Sequence, residues 1–179
     1  MKVLCQERVD IGATAEVVFD YVADLARWPM WFACIVSAQQ PENRALARDE
    51  EVRLCLQAGK HRWQETFEAT RFIRGAFLSF EAVDSAARRI DFRFERRGEV
   101  TRLACGIGYP VFGGWVPAGL DAMFRRPRVA RELRQSLVHL KNALEDDYPA
   151  TAHIDDYDAT PASRESVERS EDSRAVRVG

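Results

Sequence analysis

The chain has 179 residues, a length that predicts one domain with a substantial core. Its 46% hydrophobic and 30% charged residues are typical of a soluble globular protein, and a net charge of -2 gives no reason to expect nucleic acid as a partner. The four cysteines and three histidines are scattered without the spacing of metal ligands, so neither a metal site nor a cofactor is predicted.

The cysteines lie singly in apolar stretches, where free thiols behave as small hydrophobic residues, and this usage indicates a cytoplasmic protein with reduced thiols. The N-terminus lacks the apolar core of a signal sequence. Residues 103–120 carry no charge and approach the length of a membrane span, but glycines and prolines interrupt them repeatedly. They predict a buried strand followed by an apolar loop, and therefore a protein that does not span a membrane.

The first third of the chain predicts one strand, two helices and a second strand. Apolar residues alternate along residues 3–11, as in a half-buried strand. Thr14 is a suitable N-cap for a helix whose apolar residues recur at helical spacing up to Leu25. The helix should end near Trp28-Pro29, because proline disfavours helical geometry in the preceding residue. A short second helix or turn then leads to a strand at residues 33–37.

After a polar loop at residues 39–48, the middle of the chain consists of short alternating runs separated by turns. Strands are predicted around residues 52–56, 61–69, 77–83, 90–95 and 103–109. Connections this short favour an antiparallel meander.

A long helix is predicted from about residue 118 to residue 146, with Leu133, Leu137, Leu140 and Leu144 as its apolar stripe. Pro127 should kink this helix or divide it in two. Residues 148–179 are charged and poor in apolar side chains, so this tail is predicted to be disordered.

Several local motifs occur in the order of a known superfamily. They are Thr14–Asp24 (TAEVVFDYVAD), Trp28–Trp31 (WPMW), Gly98–Leu103 (GEVTRL) and the leucine-rich segment 137–145. In this order the chain resembles the START-like (SRPBCC) superfamily, particularly its polyketide cyclase/dehydrase and lipid-transport branch. The resemblance implies an α+β helix-grip domain over residues 1–147. Such a domain has a curved antiparallel sheet of about seven strands around a long C-terminal helix.

A curved sheet around one helix leaves a cavity, and the alternation of each strand indicates which side chains face it. The inward residues are predicted to be Leu54, Leu56, Trp63, Phe67, Phe80, Phe92, Phe94, Cys105, Ile107 and Tyr109. Met123 and Phe124 should close the cavity from the helix, while Trp31, Phe32, Phe112 and Trp115 surround its mouth. The apolar loop at residues 110–120 is the expected entry gate. In the alternative interpretation, these aromatic residues fill a solid core.

Two polar residues on inward positions are the candidate catalytic groups. Glu65 shares a strand face with Trp63 and Phe67, and a buried carboxylate is costly unless it is paired or protonated. It is therefore a candidate to bind a ligand hydroxyl or to act as a general acid or base. The alternatives are a strand-phase error or bulge in this strand, or a structural pair with a nearby arginine. Tyr109 offers a hydroxyl to a ligand carbonyl.

These features predict a protein that binds a hydrophobic small molecule, such as a lipid, an isoprenoid or a polyketide-like compound, as carrier or sensor. The resemblance also implies two alternatives. One is a polyketide cyclase or aromatase in which Glu65 and Tyr109 promote aldol closure and dehydration. The other is an interaction module that binds a protein partner through the charged tail.

Overall fold

The computed structural model describes the backbone of residues 2–40, 46–58, 60–110 and 118–148. It also describes the side chains of these residues, except those of residues 2–4, 58, 86–87, 110 and 118–126. Its strands are β1 (Lys2–Ile11), β2 (Ile35–Gln39), β3 (Glu51–Ala58), β4 (His61–Ile73), β5 (Phe77–Ala82), β6 (Ser85–Arg97) and β7 (Val100–Pro110). Its helices are α1 (Ala15–Ala23), α2 (Trp28–Trp31) and α3 (Ala118–Asp147), with a 3₁₀ turn at Leu25–Arg27 between α1 and α2.

The seven strands form one antiparallel sheet in the order β1-β7-β6-β5-β4-β3-β2. Strands β2 to β7 follow one another as a meander, whereas β1 pairs with β7 from Lys2 opposite Pro110 to Ile11 opposite Thr101. The tight β6–β7 turn contains Gly98 at a φ of 62°, a conformation that favours glycine. This arrangement is the predicted α+β helix-grip fold, which the structure confirms.

The first helix ends earlier than predicted. Helix α1 ends at Ala23 and not near Trp28-Pro29, because the backbone of Asp24 is extended and its carboxylate accepts from the amide of Ala26 at the start of the 3₁₀ turn.

Other predicted boundaries also differ from the structure. Strand β2 begins at Ile35 and not at Ala33, because the amide of Ile35 donates to the carbonyl of Phe32 and closes a turn after α2. The division of the last helix at Pro127 is wrong, since α3 continues through this residue. Proline removes one backbone donor, and the packed leucines further along hold the helix in place.

Trp28 is the centre of the packed core. Its side chain is fully buried, and its indole nitrogen donates to the carbonyl of Val22 at 2.7 Å. Its ring lies 5.2 Å from the ring of Phe80 and 5.8 Å from that of Phe92. Trp28 thereby joins the segment after α1 to the middle of the sheet.

Helix α3 is attached to the sheet by its leucine stripe and by polar contacts near its C-terminal end. The predicted stripe (Leu133, Leu137, Leu140 and Leu144) is buried. The amide of Gly12 donates to Glu145 at 3.3 Å, and the guanidinium of Arg27 binds Asp147 at 2.8 Å. These contacts hold the second half of α3 against the end of β1 and the turn before α2.

No helix within the described ranges is long and apolar enough to cross a membrane. The predicted tail, from residue 149 onward, and most of the predicted entry loop lie outside the described residues. The disorder of the tail, its binding of a protein partner and the gating role of the loop therefore stay predictions.

We expect Trp28→Ala to lower the free energy of unfolding by about 3–5 kcal/mol, because it removes a large ring from the core and leaves a buried carbonyl without its donor. The measurement is equilibrium unfolding in urea. Trp63→Ala is the matched control, since Trp63 is 43% exposed and should cost far less. Equal losses for the two variants would contradict the central role of Trp28.

Candidate functional site

A cavity of about 630 Å³ lies between the inner face of the sheet and α3. This volume is within the range of small-molecule pockets. Its apolar wall consists of Phe32, Leu56, Trp63, Ile107, Val129 and Leu133. Its polar wall consists of Cys34, Gln57, His61, Arg88, Tyr109, Arg128, Glu132 and Ser136. The cavity therefore has an apolar surface with a limited set of hydrogen-bonding groups.

The periodicity of α3 explains which helix residues reach the cavity. Val129, Glu132, Leu133 and Ser136 are spaced as i, i+3, i+4 and i+7, and such residues lie on one helix face. The hydroxyl of Ser136 accepts from the amide of Ala33 at 3.0 Å and donates to the carbonyl of Glu132 at 2.8 Å. This link holds the helix beside the segment after α2, where Phe32 and Cys34 enter the wall.

Four residues that were predicted to face the cavity line it, namely Leu56, Trp63, Ile107 and Tyr109. Phe32, expected at the mouth, also lines it.

Another group of residues that were predicted to bind the ligand lies in the packed core and does not line the cavity: Trp31, Leu54, Phe67, Phe80, Phe92, Phe94 and Cys105. The reason is that α1 and α2 fill this half of the curved sheet; Trp31, for example, stacks on Phe32 with ring centroids 5.0 Å apart. For this half, the structure corresponds to the solid-core alternative.

The remaining predicted lining residues lie where the structure gives no side-chain description. Phe112 and Trp115 lie outside the described residues, and the side chains of Met123 and Phe124 are also outside them. Their role in ligand binding stays a prediction.

Glu65 is paired with an arginine. Its carboxylate forms an ion pair with the guanidinium of Arg88 and accepts from the indole nitrogen of Trp63 at 3.2 Å. Arg88 also binds Asp84 at 2.6 Å. The side chain of Glu65 is only 9% exposed, yet it is not part of the cavity wall, which its partner Arg88 helps to form. This arrangement corresponds to the structural pair and leaves Tyr109 as the candidate catalytic group that reaches the cavity.

The charges of the cavity wall occur in pairs, and its thiol is neutral. Arg128 binds Glu132 at 2.9 Å, one helical turn along α3. Burial, together with the nearby charge of Glu132, raises the pKa of the Cys34 thiol to about 12. A thiol with so high a pKa stays protonated at neutral pH and acts as an apolar part of the wall.

Arg88 was not among the residues predicted from the sequence, although a signal for it existed. The predicted inward face of β6 contains Ile90, Phe92 and Phe94, and the same alternation extended backwards reaches Arg88. An arginine at an inward position near Glu65 indicates an ion pair, but only the folded sheet shows that the two residues meet.

Among the described residues, no group of histidine, cysteine, aspartate or glutamate side chains is arranged to hold a metal ion. Cys5, Cys34, Cys55 and Cys105 are all free thiols.

The family model described as polyketide cyclase / dehydrase and lipid transport matches residues 3–145. A search of curated proteins found no match. Among solved structures, the Zhui aromatase/cyclase from a Streptomyces species superposes with a TM-score of 0.66 at 14% sequence identity, covering 86% of this chain and 100% of that protein. A START superfamily protein from Mycobacterium smegmatis gives a TM-score of 0.56 at 20% identity, covering 80% of this chain and 95% of its own.

A protein of unknown function from Staphylococcus aureus is similar to the same degree, with a TM-score of 0.65 at 9% identity, covering 83% of this chain and 97% of its own. At identities this low, the superpositions show a shared fold and carry no information on substrate or activity.

The Asp84–Arg88 contact predicts a pH dependence. The hydrogen bond from Arg88 lowers the pKa of the Asp84 carboxyl. A lowered pKa in the folded state stabilises the fold above the ordinary carboxyl pKa, and this contribution is lost as the pH falls through the lowered value.

We expect Arg88→Gln to raise the midpoint of the Asp84 titration, measured by carbon-13 NMR of the carboxyl group. Asp10, whose pKa is lowered by Arg102, is the control and should not change. An unchanged Asp84 midpoint would contradict the contact.

Proposed function

The chain belongs to the polyketide cyclase/dehydrase and lipid transport family, and we propose that it binds a hydrophobic small molecule in the cavity between the sheet and α3. The family and the superposed structures fit a hydrophobic ligand-binding fold of the START type. The observation that carries the proposal is the cavity itself, which has room for a small organic molecule.

The cavity wall favours a mainly apolar ligand with a few polar groups. Apolar surface that leaves water contributes about 25 cal/mol per Å², so contact with Phe32, Leu56 and Ile107 supplies the main driving force. Gln57 and Tyr109 offer hydrogen-bonding groups that orient the molecule. A lipid, an isoprenoid or a polyketide-like compound has this character, and the protein acts as a carrier or sensor of it.

The test is the uptake of N-phenyl-1-naphthylamine, an uncharged probe whose fluorescence rises in an apolar site. We expect the wild-type protein to bind it and Trp63→Ala to weaken binding about fivefold to tenfold, because the indole forms part of the wall. Ile73→Ala is the control, since Ile73 is an exposed apolar residue away from the cavity, and it should leave the affinity unchanged. Absence of uptake by the wild-type protein would refute the proposal.

A cyclase-type enzyme is the second candidate, because Tyr109 and His61 both line the cavity and supply a hydroxyl and an imidazole. In an aldol closure, a base removes a proton from the carbon between two carbonyls, and that carbon forms a bond to a third carbonyl carbon. The new alkoxide takes up a proton, and elimination then releases water. Tyr109 would donate to the reacting carbonyl oxygen, and His61 is better placed than Glu65 to accept the carbon proton, because Glu65 is held by Arg88.

This candidate predicts that Tyr109→Phe reduces turnover of a poly-β-ketone thioester about 100-fold or more while the affinity for N-phenyl-1-naphthylamine stays within about twofold. Product formation is followed by mass spectrometry as the loss of water. If the wild-type protein takes up the thioester and releases it unchanged, the carrier function stands and the enzyme is excluded.

A further inference from the structure

The sheet is split at one edge of the cavity. The first residues of β4, His61 to Glu65, pair with β3 on one side only, and pairing with β5 begins at Phe67, opposite Ala82. The first residues of β6, Ser85 to Arg88, precede the ladder with β7, which begins at Arg89. Within the described part of the chain, no backbone hydrogen bond joins residues 61–65 to residues 85–88.

A second space lies at this split, and it shares two wall residues with the cavity. This outer cleft is also about 630 Å³ in volume and is lined by Arg53, Trp63, Gln64, Glu65, Thr66, Val83, Asp84 and Arg88. Trp63 and Arg88 line both the cavity and the outer cleft. Among the described residues, side chains bridge the split there through the Glu65–Arg88 ion pair, and Trp63 of the same strand as Glu65 donates to that carboxylate. Side-chain rotation can open such a bridge without breaking the sheet.

The outer cleft contains an arginine, Arg53, that forms no ion pair with a carboxylate of the described residues. Arg53 of β3 lies opposite Thr66 of β4 and is exposed. Unlike Arg88, which binds both Glu65 and Asp84, Arg53 has no ion-pair partner among the described residues. Together with Gln64 and Thr66, it makes the cleft a polar surface that favours an anionic or hydrogen-bonding group.

We propose that the cavity and the outer cleft form one binding site for an amphipathic molecule with an acidic end. Its apolar part lies in the cavity, and its carboxylate passes through the split beside Trp63 to reach Arg53. This inference rests on the proposed binding function and deepens it, because it names the ligand class and the route of its polar end.

The experiment compares two fluorescent probes on the full chain. N-phenyl-1-naphthylamine is apolar and should occupy the cavity alone, whereas cis-parinaric acid has an acyl chain and a carboxylate. We expect Arg53→Gln to raise the Kd of parinaric acid about threefold to fivefold at low salt, as for an exposed charge pair, and to leave the naphthylamine unchanged. Naphthylamine should displace parinaric acid competitively, because both need the cavity.

Arg71→Gln is the matched control. Arg71 is an exposed arginine on β4 whose guanidinium lies 4.7 Å from the ring of Phe77, and it lines neither the cavity nor the outer cleft. Equal effects of Arg53→Gln and Arg71→Gln on parinaric acid would overturn the inference, as would non-competitive binding or binding of the naphthylamine alone. If the naphthylamine itself does not bind, the proposed function fails, so the two failures are distinguishable.

Discussion

The pairing of β1 with β7 is the constraint on which the rest of this structure depends. It joins the first strand of the chain to the last, over ten residue pairs from Lys2–Pro110 to Ile11–Thr101. Because the pair is antiparallel, α1 begins at the Ile11 end and α3 follows the opposite end at Pro110, so α3 runs back along β1 until its last turns reach Gly12. The hydroxyl of Thr101 donates to the carbonyl of Ala13 at 2.6 Å, and the Gly12–Glu145 contact completes the link to α3. The interior is then enclosed between the sheet and helices from both ends of the chain.

That interior is divided into two unequal environments. Around Trp28, the rings of α2 and the middle strands pack against one another, so the aromatic residues there serve stability. Beside this region, the Ser136–Ala33 hydrogen bond holds α3 against the short connection after α2, and the cavity remains between α3 and the sheet. A binding function is therefore possible without an unstable core, because packing and ligand contact involve largely different residues.

The electrostatics of the site favour a structural role for Glu65, which the sequence suggested as a general acid or base. Glu65 has two donors, Arg88 and Trp63, and both lie at the boundary between the cavity and the outer cleft. A carboxylate held in this way contributes to the geometry of the opening. The polar groups that remain on the cavity wall, among them Tyr109 and Gln57, suit the orientation of a bound molecule.

The sequence by itself determined the elements of this protein and most of its inward faces. Alternation along β3, β4 and β7 was sufficient to predict Leu56, Trp63, Ile107 and Tyr109, because the side-chain period of a strand is a local property. The tertiary structure alone decided which inward residues meet solid core and which meet the cavity, since this depends on where Trp28 and Phe32 come to lie across the sheet. It also decided that Glu65 and Arg88 face each other, because two strands that are not hydrogen-bonded neighbours have no register that a sequence pattern can reveal.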